Sequence, residues 1–521
     1  MNFKVLIPTS GVGSKIGLTS EFTNKALVKV GDKPVISHII DSYPVNTQFV
    51  VTLGHFADHV REYLEIAHPK AKIEYVTVDK FEGKGSSQLY SLYCAHLKLV
   101  CPFIYHACDT MVQETVPEPK INWCGGARGE GSSQYASFNT IDHTITKANQ
   151  KGELNPDYLY IGLMGVNDYK DFWKLTKAVL EGKNQSPNDI DVINTMLSNG
   201  KKFKISEVNE WQDTGNADGL NLARKKFPSS ADILEKSGES IFFLKNGVCK
   251  FFDDINFVEN RVKRSTILKP LTPKIIAYNK HFYLYDYVDG EILSEAVNVP
   301  TFRKLLEWAD KKLWIDSNET NEQDFYDRCY DFYYKKTLKR IKKLVDSGEI
   351  SNSEMTINGI NIPSAEKILG LVDWKRICKA KQTHFHGDFI LDNILKTKKD
   401  FCLLDWRQDF GGLLESGDMY YDLAKLNHNL TINHHIVNNS NFEVNISGKS
   451  IKIDIHRKNV LVECQQLLKE YVVRNNLDEY KFNVLTPIIW LNMSPLHHHP
   501  FNIFLFYFGL YNLWSEIQKK Y

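Results

Sequence analysis

The stretch HGDFILDN (His386–Asn393) is followed by an apolar run that ends in LLDW, residues 403–406. It places an aspartate, Asp388, and an amide, Asn393, on one short segment, and Asp405 at the end of the next apolar run. Phosphoryl transfer needs a carboxylate that orients an acceptor hydroxyl and takes its proton, and hard oxygen ligands for Mg²⁺. We therefore predict that Asp388 is a catalytic base and that Asn393 and Asp405 bind Mg²⁺.

Length and composition predict a protein of two to four domains with a large core. The chain has 521 residues, of which 43% are hydrophobic and 12% aromatic, which argues against disorder. Its 64 Lys and Arg nearly balance 63 Asp and Glu, so no global field recruits nucleic acid or an anionic membrane. Any phosphate site must therefore be local.

The cysteines and the apolar runs of the sequence indicate the cellular compartment of the protein. The nine cysteines form no CxxC pair, and the chain begins MNFKVLIPTS rather than with a signal region, so we predict a reduced, cytoplasmic protein. The most apolar late stretch, 501–514, is interrupted by Asn and Gly and is shorter than the ~20 residues that a membrane span needs. We predict a buried terminal helix and no membrane insertion.

The N-terminal segment combines a short apolar run, FKVLIP (3–8), with the glycine-rich TSGVGSKIG (9–17). Glycines let backbone N–H groups approach an anion closely, so this loop predicts a phosphate cradle with Ser10, Gly11 and Gly13 as nucleotide contacts. A plain tight turn is the alternative.

The following segments alternate between strand and helix patterns. Helices are predicted at 34–43 and 57–67, strands at 49–54 and 72–78, and an apolar strand at 102–110 that includes Asp109. Such alternation predicts an α/β fold with a mostly parallel sheet and sites at the carboxyl ends of its strands.

On these residues, positions 1–228 resemble the sugar-phosphate nucleotidylyltransferases. The matching features, in chain order, are Gly11, Gly13, Lys15, Lys25, Lys33-Pro34, the turn Gly85-Ser86-Ser87, Asp109, the strand 157–166 and the segment 207–220 with Asp213 and Gly215. The resemblance implies a Rossmann-like nucleotidyltransferase domain that couples a phosphomonoester to a nucleotide. The sequence departs from the family pattern at Lys15, Asn24 and Cys108, where Arg, Pro and Gly are usual.

The same resemblance implies the roles of the N-terminal site residues. Lys15 and Lys25 are catalytic cations that offset repulsion between the reacting phosphates, and Asp109 and Asp213 bind Mg²⁺. Gly85 and Ser86 contact the nucleotide. A turn or cap role is the alternative for Asp109.

A cluster of Pro, Ser and Gly predicts a linker at 229–234, between a domain at 1–228 and another at 235–521. Asn246-Gly247 between two apolar runs predicts a hairpin whose second strand carries Lys250. We predict that Lys250 reaches nucleotide phosphates, with Glu259 on the next helix as its ion-pair partner. The alternative for both side chains is a solvated position.

The HGD segment with Asn393 and LLDW resembles the aminoglycoside phosphotransferase and choline kinase family, over residues 235–521. The resemblance implies a bilobal, protein-kinase-like α+β domain that uses ATP, with an N-lobe at about 235–290 and a C-lobe at about 291–521. In it, His386 steadies the catalytic loop and Asp422 is structural. The lysine-rich run 335–343 is interpreted as a solvated helix face.

Together the two halves suggest a bifunctional enzyme. The kinase would phosphorylate a sugar or small alcohol, and the transferase would couple that phosphate to a second NTP, CTP or UTP, releasing pyrophosphate to make an activated precursor for a surface glycan. One alternative makes the acceptor choline or ethanolamine. Another is a regulatory scaffold with an inactive N-terminal domain. The sequence leaves homo-oligomerisation open.

Overall fold

The computed structural model describes residues 3–13, 21–129, 131, 133–153, 155–182, 187–230 and 238–521. The chain divides into two compact units. The first comprises Met1–Ile255 and Ile276–Asp286, and the second comprises Asn256–Ile275 and Tyr287–Tyr521. This division differs from the predicted domains, because the segment after the predicted linker at 229–234 groups with the first unit. Residues 231–234 of the predicted linker lie outside the described residues, so the linker stays a prediction.

The first unit contains, among its described residues, β1 (Lys4–Pro8), β2 (Lys29–Val30), β3 (Lys33–Pro34), α1 (Val35–Asp41), β4 (Gln48–Leu53), α2 (Ala57–Ala67), β5 (Lys72–Thr77), α3 (Gln88–Cys94), β6 (Phe103–His106), β7 (Thr110–Val112), β8 (Trp123–Ala127), β9 (Ser137–Ile141), β10 (Thr144–Asn149), β11 (Tyr158–Val166), α4 (Tyr169–Leu180), α5 (Asp189–Ser198), β12 (Lys204–Glu207), β13 (Trp211–Asp213), α6 (Ala217–Lys226), β14 (Glu239–Leu244), β15 (Gly247–Phe252), β16 (Ile275–Tyr278) and β17 (Phe282–Tyr285).

The large sheet of this unit is mixed, so the prediction of a mostly parallel sheet is wrong. Its strand order is β5-β4-β1-β6-β11-β8-β12-β10-β9. The β5-β4-β1-β6 half is parallel, whereas β11 runs antiparallel to β6, β8 and β9. The antiparallel pairing of β9 and β10 follows from the tight turn at Asp142-His143, because a short connection permits only antiparallel pairing. Both turn residues have positive φ.

Both faces of the parallel half are buried, as its continuous apolar strands require. In β1, Val5 and Ile7 pack in one core with α1 and α2, whereas Leu6 packs in a second core with α3 and α4. Helices on both faces leave the carboxyl edge of the strands accessible, and the polar turns of the N-terminal half lie at that edge.

The predicted hairpin at Asn246-Gly247 is present. Strands β14 and β15 pair antiparallel, with Leu244 opposite Gly247. A Cβ at Gly247 would lie 2.2 Å from the carbonyl oxygen of Tyr285, so only glycine fits there. Together with β17 and β16 the hairpin forms a four-stranded sheet. Its residues Phe242 and Phe282 join the core under α2, which is why this sheet belongs to the first unit.

The second unit is mostly helical. Its elements are α7 (Ile255–Ile267), β18 (Glu291–Ile292), α8 (Leu293–Ala296), α9 (Val299–Lys312), α10 (Glu322–Tyr330), α11 (Lys336–Asp346), β19 (Met355–Ile357), β20 (Ile360–Ile362), α12 (Ala365–Leu371), α13 (Trp374–Cys378), β21 (Ile394–Lys396), β22 (Phe401–Leu403), α14 (Met419–Thr431), α15 (His434–Asn438), β23 (Phe442–Ser447), β24 (Ser450–Ile455), α16 (Asn459–Arg474), α17 (Glu479–Met493) and α18 (Phe501–Ile517).

Apolar helices form the interior of the second unit. The predicted terminal helix is α18, which packs on α17. Its residues Phe504 and Leu510 are part of the shared core. None of the helices in the described ranges combines the length and apolar character that a membrane span requires.

All nine cysteines are described, and each is a free thiol. The bilobal, kinase-like arrangement stays a prediction.

A fully buried ion pair lies at the start of α14. The ammonium of Lys481 is 2.7 Å from Oδ2 of Asp418, and both side chains are only 1% exposed. The Tyr333 hydroxyl donates to the same oxygen at 2.8 Å. Burial of both charges is tolerated here because each has a partner of opposite charge and further hydrogen bonds.

We predict that Lys481→Met destabilises the protein by about 3–5 kcal/mol, because it leaves the Asp418 carboxylate buried without its counter-charge. The matched control is Arg376→Met, which removes an ion pair with Asp478 in which Arg376 is 40% exposed. That change should cost less than about 1 kcal/mol. Urea denaturation of both variants tests this, and equal losses would contradict it.

Candidate active sites

A cleft of about 900 Å³ opens at the carboxyl edge of the large sheet in the first unit. It brings together most of the N-terminal site residues predicted from sequence. Those that line it are Ser10, Gly11, Gly13, Lys25, Ser86, Asp109 and Asp213. Gly85 has positive φ and lies in the turn beside Ser86. Lys15 lies outside the described residues, so its catalytic role stays a prediction.

Asn24, a departure from the family pattern, fixes the position of Lys25. It caps the 3-10 turn Lys25–Leu27, where its Oδ1 accepts from the Ala26 N–H at 2.9 Å. Its fully buried Nδ2 donates to the carbonyl oxygens of Thr9 at 2.7 Å and His55 at 2.6 Å. These carbonyls follow β1 and β4, so one amide ties the turn to two adjacent strand ends. No sequence pattern indicated this role for Asn24.

Lys25 and Asp109 form an ion pair in the cleft. The Lys25 ammonium is 3.0 Å from Oδ2 of Asp109, and the side chains are 22% and 28% exposed. Burial lowers the pKa of Lys25, but the negative charge of Asp109 and its hydrogen bond to the ammonium more than offset this and hold that pKa above its ordinary value. Burial raises the pKa of the Cys108 thiol to about 11. Lys25 is therefore a permanent cation beside a carboxylate.

A two-stranded ribbon brings Asp109 and Asp213 together. Strands β7 and β13 pair antiparallel with Thr110 opposite Asp213, and the Thr214 N–H donates to the Asp109 carbonyl at 2.8 Å. A Cβ on Gly215 would lie 2.8 Å from Oδ2 of Asp109 and 3.1 Å from Oδ1 of Asp213. The two carboxylates therefore face one small space that the missing side chain of Gly215 leaves open.

This carboxylate pair fits Mg²⁺. Magnesium is usually held by one or two carboxylates, with water and substrate phosphates completing its octahedron. Within the described ranges no cluster of three or more His, Cys, Asp or Glu side chains could hold a metal alone. Asp213 is held in place by the Tyr135 hydroxyl at 2.8 Å and the Asn216 amide at 2.6 Å, both on Oδ2.

The cleft also contains a polar network that sequence analysis missed. Asp189, which is 3% exposed, accepts from the Tyr160 hydroxyl at 2.8 Å and from the Gln88 amide at 3.2 Å. Gln88 also donates to the Tyr105 hydroxyl at 2.7 Å. Burial raises the pKa of Asp189. No local motif marks these residues, because they come from four separate elements, α3, β6, β11 and α5.

In the second unit, the predicted base Asp388 lies among close partners. The Lys425 ammonium is 2.7 Å from its Oδ1, and Lys425 is only 12% exposed. The Asn393 amide donates to the backbone oxygen and to Oδ2 of Asp388, both at 3.0 Å. Nothing in the sequence indicated that Lys425 pairs with Asp388.

The β21–β22 hairpin brings the predicted metal ligands Asn393 and Asp405 to the same end of that pair. Ile394 pairs with Leu403, and the Leu404 N–H donates to the Asn393 carbonyl at 2.8 Å. Asp405 has a φ of 54°, a strained conformation for a non-glycine residue, and its Oδ1 is 3.1 Å from the Arg261 guanidinium. Asn393 uses its N–H groups on Asp388, so its amide oxygen remains suited to a cation.

Two buried charges hold the loop that carries Asp388. Asp422 accepts from the His386 N–H at 2.7 Å and the Gly387 N–H at 2.6 Å, and burial raises its pKa to about 6. Arg264 on α7 is fully buried and donates to the carbonyls of Phe385 and Arg407. The structural role expected for Asp422 agrees with this geometry, whereas Arg264 was missed.

Lys250 and Glu259 lie in different units. Lys250 is on β15 and is 3% exposed. Glu259 pairs with Lys263 one turn along α7 at 2.6 Å, and its side chain is 60% exposed. Glu259 is therefore solvated, which was the alternative to an ion pair with Lys250. Nucleotide contact by Lys250 stays a prediction.

We predict that Gly215→Ala lowers pyrophosphate release at least tenfold, because the added Cβ displaces Asp109 and costs more than about 1.4 kcal/mol of site stabilisation. Mn²⁺ binding, followed by electron paramagnetic resonance, should weaken in parallel. The control is Gly370→Ala in the second unit, where a Cβ would meet nothing within 4 Å. Unchanged Mn²⁺ affinity in Gly215→Ala would contradict the shared carboxylate site.

His386 generates a pH prediction. Its Nε2 donates to the Leu404 carbonyl at 2.8 Å and its Nδ1 accepts from the Asp388 N–H at 3.2 Å. Burial lowers its pKa from 6.5 to about 4. Between these pH values the unfolded chain binds a proton at His386 that the folded chain does not bind. The free energy of unfolding therefore falls as pH decreases through this window, by up to about 3 kcal/mol, and is fully retained above pH 6.5.

Denaturation of the wild type and of His386→Gln between pH 4 and 7 tests this assignment. The free energy of unfolding of the variant should depend less steeply on pH, by about one proton. Parallel pH profiles for the two proteins would show that His386 is not held neutral.

Comparisons with known proteins concern the N-terminal part of the chain. No family model and no curated protein matches the sequence. Similar solved structures include a putative glucose-1-phosphate thymidylyltransferase from Bacillus anthracis, with 17% identity, TM-score 0.38, and coverage of 45% of this chain and 98% of that chain. The CTP:phosphocholine cytidylyltransferase from Streptococcus pneumoniae has 14% identity, TM-score 0.38, and coverage of 43% and 99%. The inositol-1-phosphate CTP transferase from T. maritima has 12% identity, TM-score 0.37, and coverage of 45% and 98%. Similarity at this level does not establish a family or an activity.

Proposed function

We propose that the chain is a bifunctional enzyme with a nucleotidylyltransferase in its first unit and a small-molecule kinase in its second. The kinase transfers phosphate from ATP to a sugar or small alcohol, and the transferase couples that phosphate to CTP or UTP. The product is an activated precursor for a surface glycan, made in the cytoplasm. The observation that carries the proposal is the convergence of Lys25, Asp109 and Asp213 on one cleft.

In the first unit the phosphomonoester oxygen attacks the α-phosphorus of the NTP, and the bond to the bridging oxygen breaks to release pyrophosphate. Lys25 places a permanent positive charge beside the reacting anions, where it is worth more than in water. Asp109 and Asp213 would hold Mg²⁺, which supplies charge neutralisation of the phosphates when bound. The Asn24 amide keeps Lys25 at the strand ends.

In the second unit the acceptor hydroxyl attacks the γ-phosphorus of ATP, ADP leaves, and the hydroxyl proton passes to Asp388. Lys425 and Asn393 fix the orientation of the Asp388 carboxylate. The loop itself is held by Asp422 and Arg264, so the base is preorganised for its task. Asn393 and Asp405 are the residues that would hold Mg²⁺ here.

Substituting one aspartate in each unit separates the two reactions. Asp109→Ala should abolish pyrophosphate release from CTP or UTP while leaving ADP formation intact, because only the first reaction needs that carboxylate. Asp388→Asn should lower ADP formation at least a hundredfold, in line with the loss of a general base. Both are measured with ATP, a second NTP and a panel of sugars, polyols and amino alcohols.

Two results would count against the proposal. If the wild type releases no pyrophosphate with any acceptor, the scaffold alternative is favoured. If Asp109→Ala leaves pyrophosphate release unchanged, the cleft of the first unit is not the site of nucleotidyl transfer.

A further inference from the structure

Four basic side chains lie close to the Asp388 loop, and we refer to Lys336, Arg340, Arg407 and Lys425 as the basic cluster. Two of them lie over the same aromatic ring. The Lys336 ammonium is 4.1 Å from the centroid of the Phe332 ring, and the Arg407 guanidinium carbon is 4.9 Å from it. Lys336 is half-buried, so the interpretation of the run 335–343 as a solvated face is wrong at this position.

The basic cluster adjoins the predicted base directly. A Cβ on Gly387 would lie 2.5 Å from Cβ and 3.0 Å from Cδ of Arg407, so the Arg407 side chain packs on the residue before Asp388. Lys425 contacts Asp388 itself at 2.7 Å. Tyr421, one turn before Lys425, packs edge-on against Phe332 with ring centroids 5.0 Å apart. The cluster and the base therefore share one wall.

Carboxylates do not neutralise most of this charge. In the ranges that the structure describes, Lys336, Arg340 and Arg407 make no salt bridge. Arg340 donates to the carbonyl of Asn492 at 3.0 Å, and Arg407 donates through Nε to the carbonyl of Asp409 at 2.9 Å. Arg340 and Arg407 therefore supply half-buried positive charge without a carboxylate partner among the described residues, and Lys336 adds an amine that can take up a proton; together they favour an anion.

The titration of Lys336 agrees with this surplus of positive charge. Burial first, and then the charges of Arg407, Arg340 and Lys425, lower its pKa to about 6, although Asp409 acts in the opposite direction. An ammonium group with so low a pKa regains its proton when an anion binds beside it.

We propose that the basic cluster binds an anionic group, a carboxylate or a phosphate, on the same acceptor whose hydroxyl Asp388 orients. This inference rests on the proposed kinase function of the second unit and makes it more specific. The acceptor is then a hydroxy acid or a phosphorylated sugar or polyol, and an amino alcohol such as choline or ethanolamine is disfavoured by like-charge repulsion. The reaction is unchanged: the hydroxyl oxygen bonds to the γ-phosphorus, ADP leaves, and Asp388 takes the proton.

Anion binding is tested first without turnover. The full chain is titrated with sulfate by calorimetry at pH 7 in two buffers of different ionisation enthalpy. The wild type should bind sulfate with net proton uptake, because Lys336 is then largely neutral before binding. Lys336→Gln should weaken binding about tenfold, which corresponds to about 1.4 kcal/mol, and abolish the uptake. The control Lys342→Gln, at an exposed position of the same helix, should match the wild type. Identical titrations for all three proteins would overturn the proposal.

Turnover then distinguishes acceptor from donor. Transfer of γ-phosphate from ATP is compared for glycerol, D-glycerate and 3-amino-1,2-propanediol, and for ribose and ribose 5-phosphate. The anionic member of each set should have the highest kcat/KM, and Lys336→Gln should raise its KM without changing the KM of ATP. Higher kcat/KM for a neutral or cationic acceptor, or a raised KM for ATP, would overturn the proposal. If no acceptor is phosphorylated but sulfate binding still depends on Lys336, the kinase function fails while the anion site stands.

Discussion

In each unit a lysine ammonium forms an ion pair with an aspartate of the proposed active site. The distance is 3.0 Å for Lys25 and Asp109 and 2.7 Å for Lys425 and Asp388. Both proposed reactions bring anions together, and the net charge of the chain is only +1, so the required positive charge must be supplied locally. Each ion pair places a fixed cation at the proposed reacting centre and restrains the orientation of a carboxylate.

The supporting contacts show how the two ion pairs are held. In the first unit the Asn24 amide connects the Lys25 turn to the ends of β1 and β4. In the second unit the buried charges of Asp422 and Arg264 bind the backbone of the loop that carries Asp388. Because these groups are buried and hydrogen-bonded, they resist displacement more than surface pairs would. The side chains to which we assign chemistry are therefore held in place by buried polar contacts within each unit.

Sequence patterns could predict local structure and the proximity of some site residues. The apolar periodicity located β1, α2 and the β14–β15 hairpin, because these depend on burial and turn chemistry alone. Asp109 and Asp213 were expected to share a site, and the β7–β13 ribbon does place them side by side. Strand direction was predicted wrongly, since the antiparallel pairing of β11 depends on contacts distant in sequence.

The remaining features arise only in three dimensions. Asn24 was noted as a departure from a family pattern, yet its three hydrogen bonds explain it as a cap. The solvent exposure of Glu259 and Lys336 could not be predicted, because helix periodicity does not show which charged side chains other elements cover. Glu259 is solvated, and Lys336 is half-buried beside Arg407. Buried cations of this kind are recognised by their neighbours, which the sequence does not specify.

The central claim is that the phosphate installed by the second unit is the phosphate to which the first unit joins a nucleotide. It is tested most directly with ATP carrying ¹⁸O in its γ-phosphate, unlabelled CTP or UTP, and an accepted acceptor, followed by mass spectrometry of the products. The account predicts ¹⁸O in the acceptor-side phosphate of the nucleotide-linked product and none in the released pyrophosphate. A nucleotide-linked product without ¹⁸O, formed while labelled ATP is consumed, would contradict it.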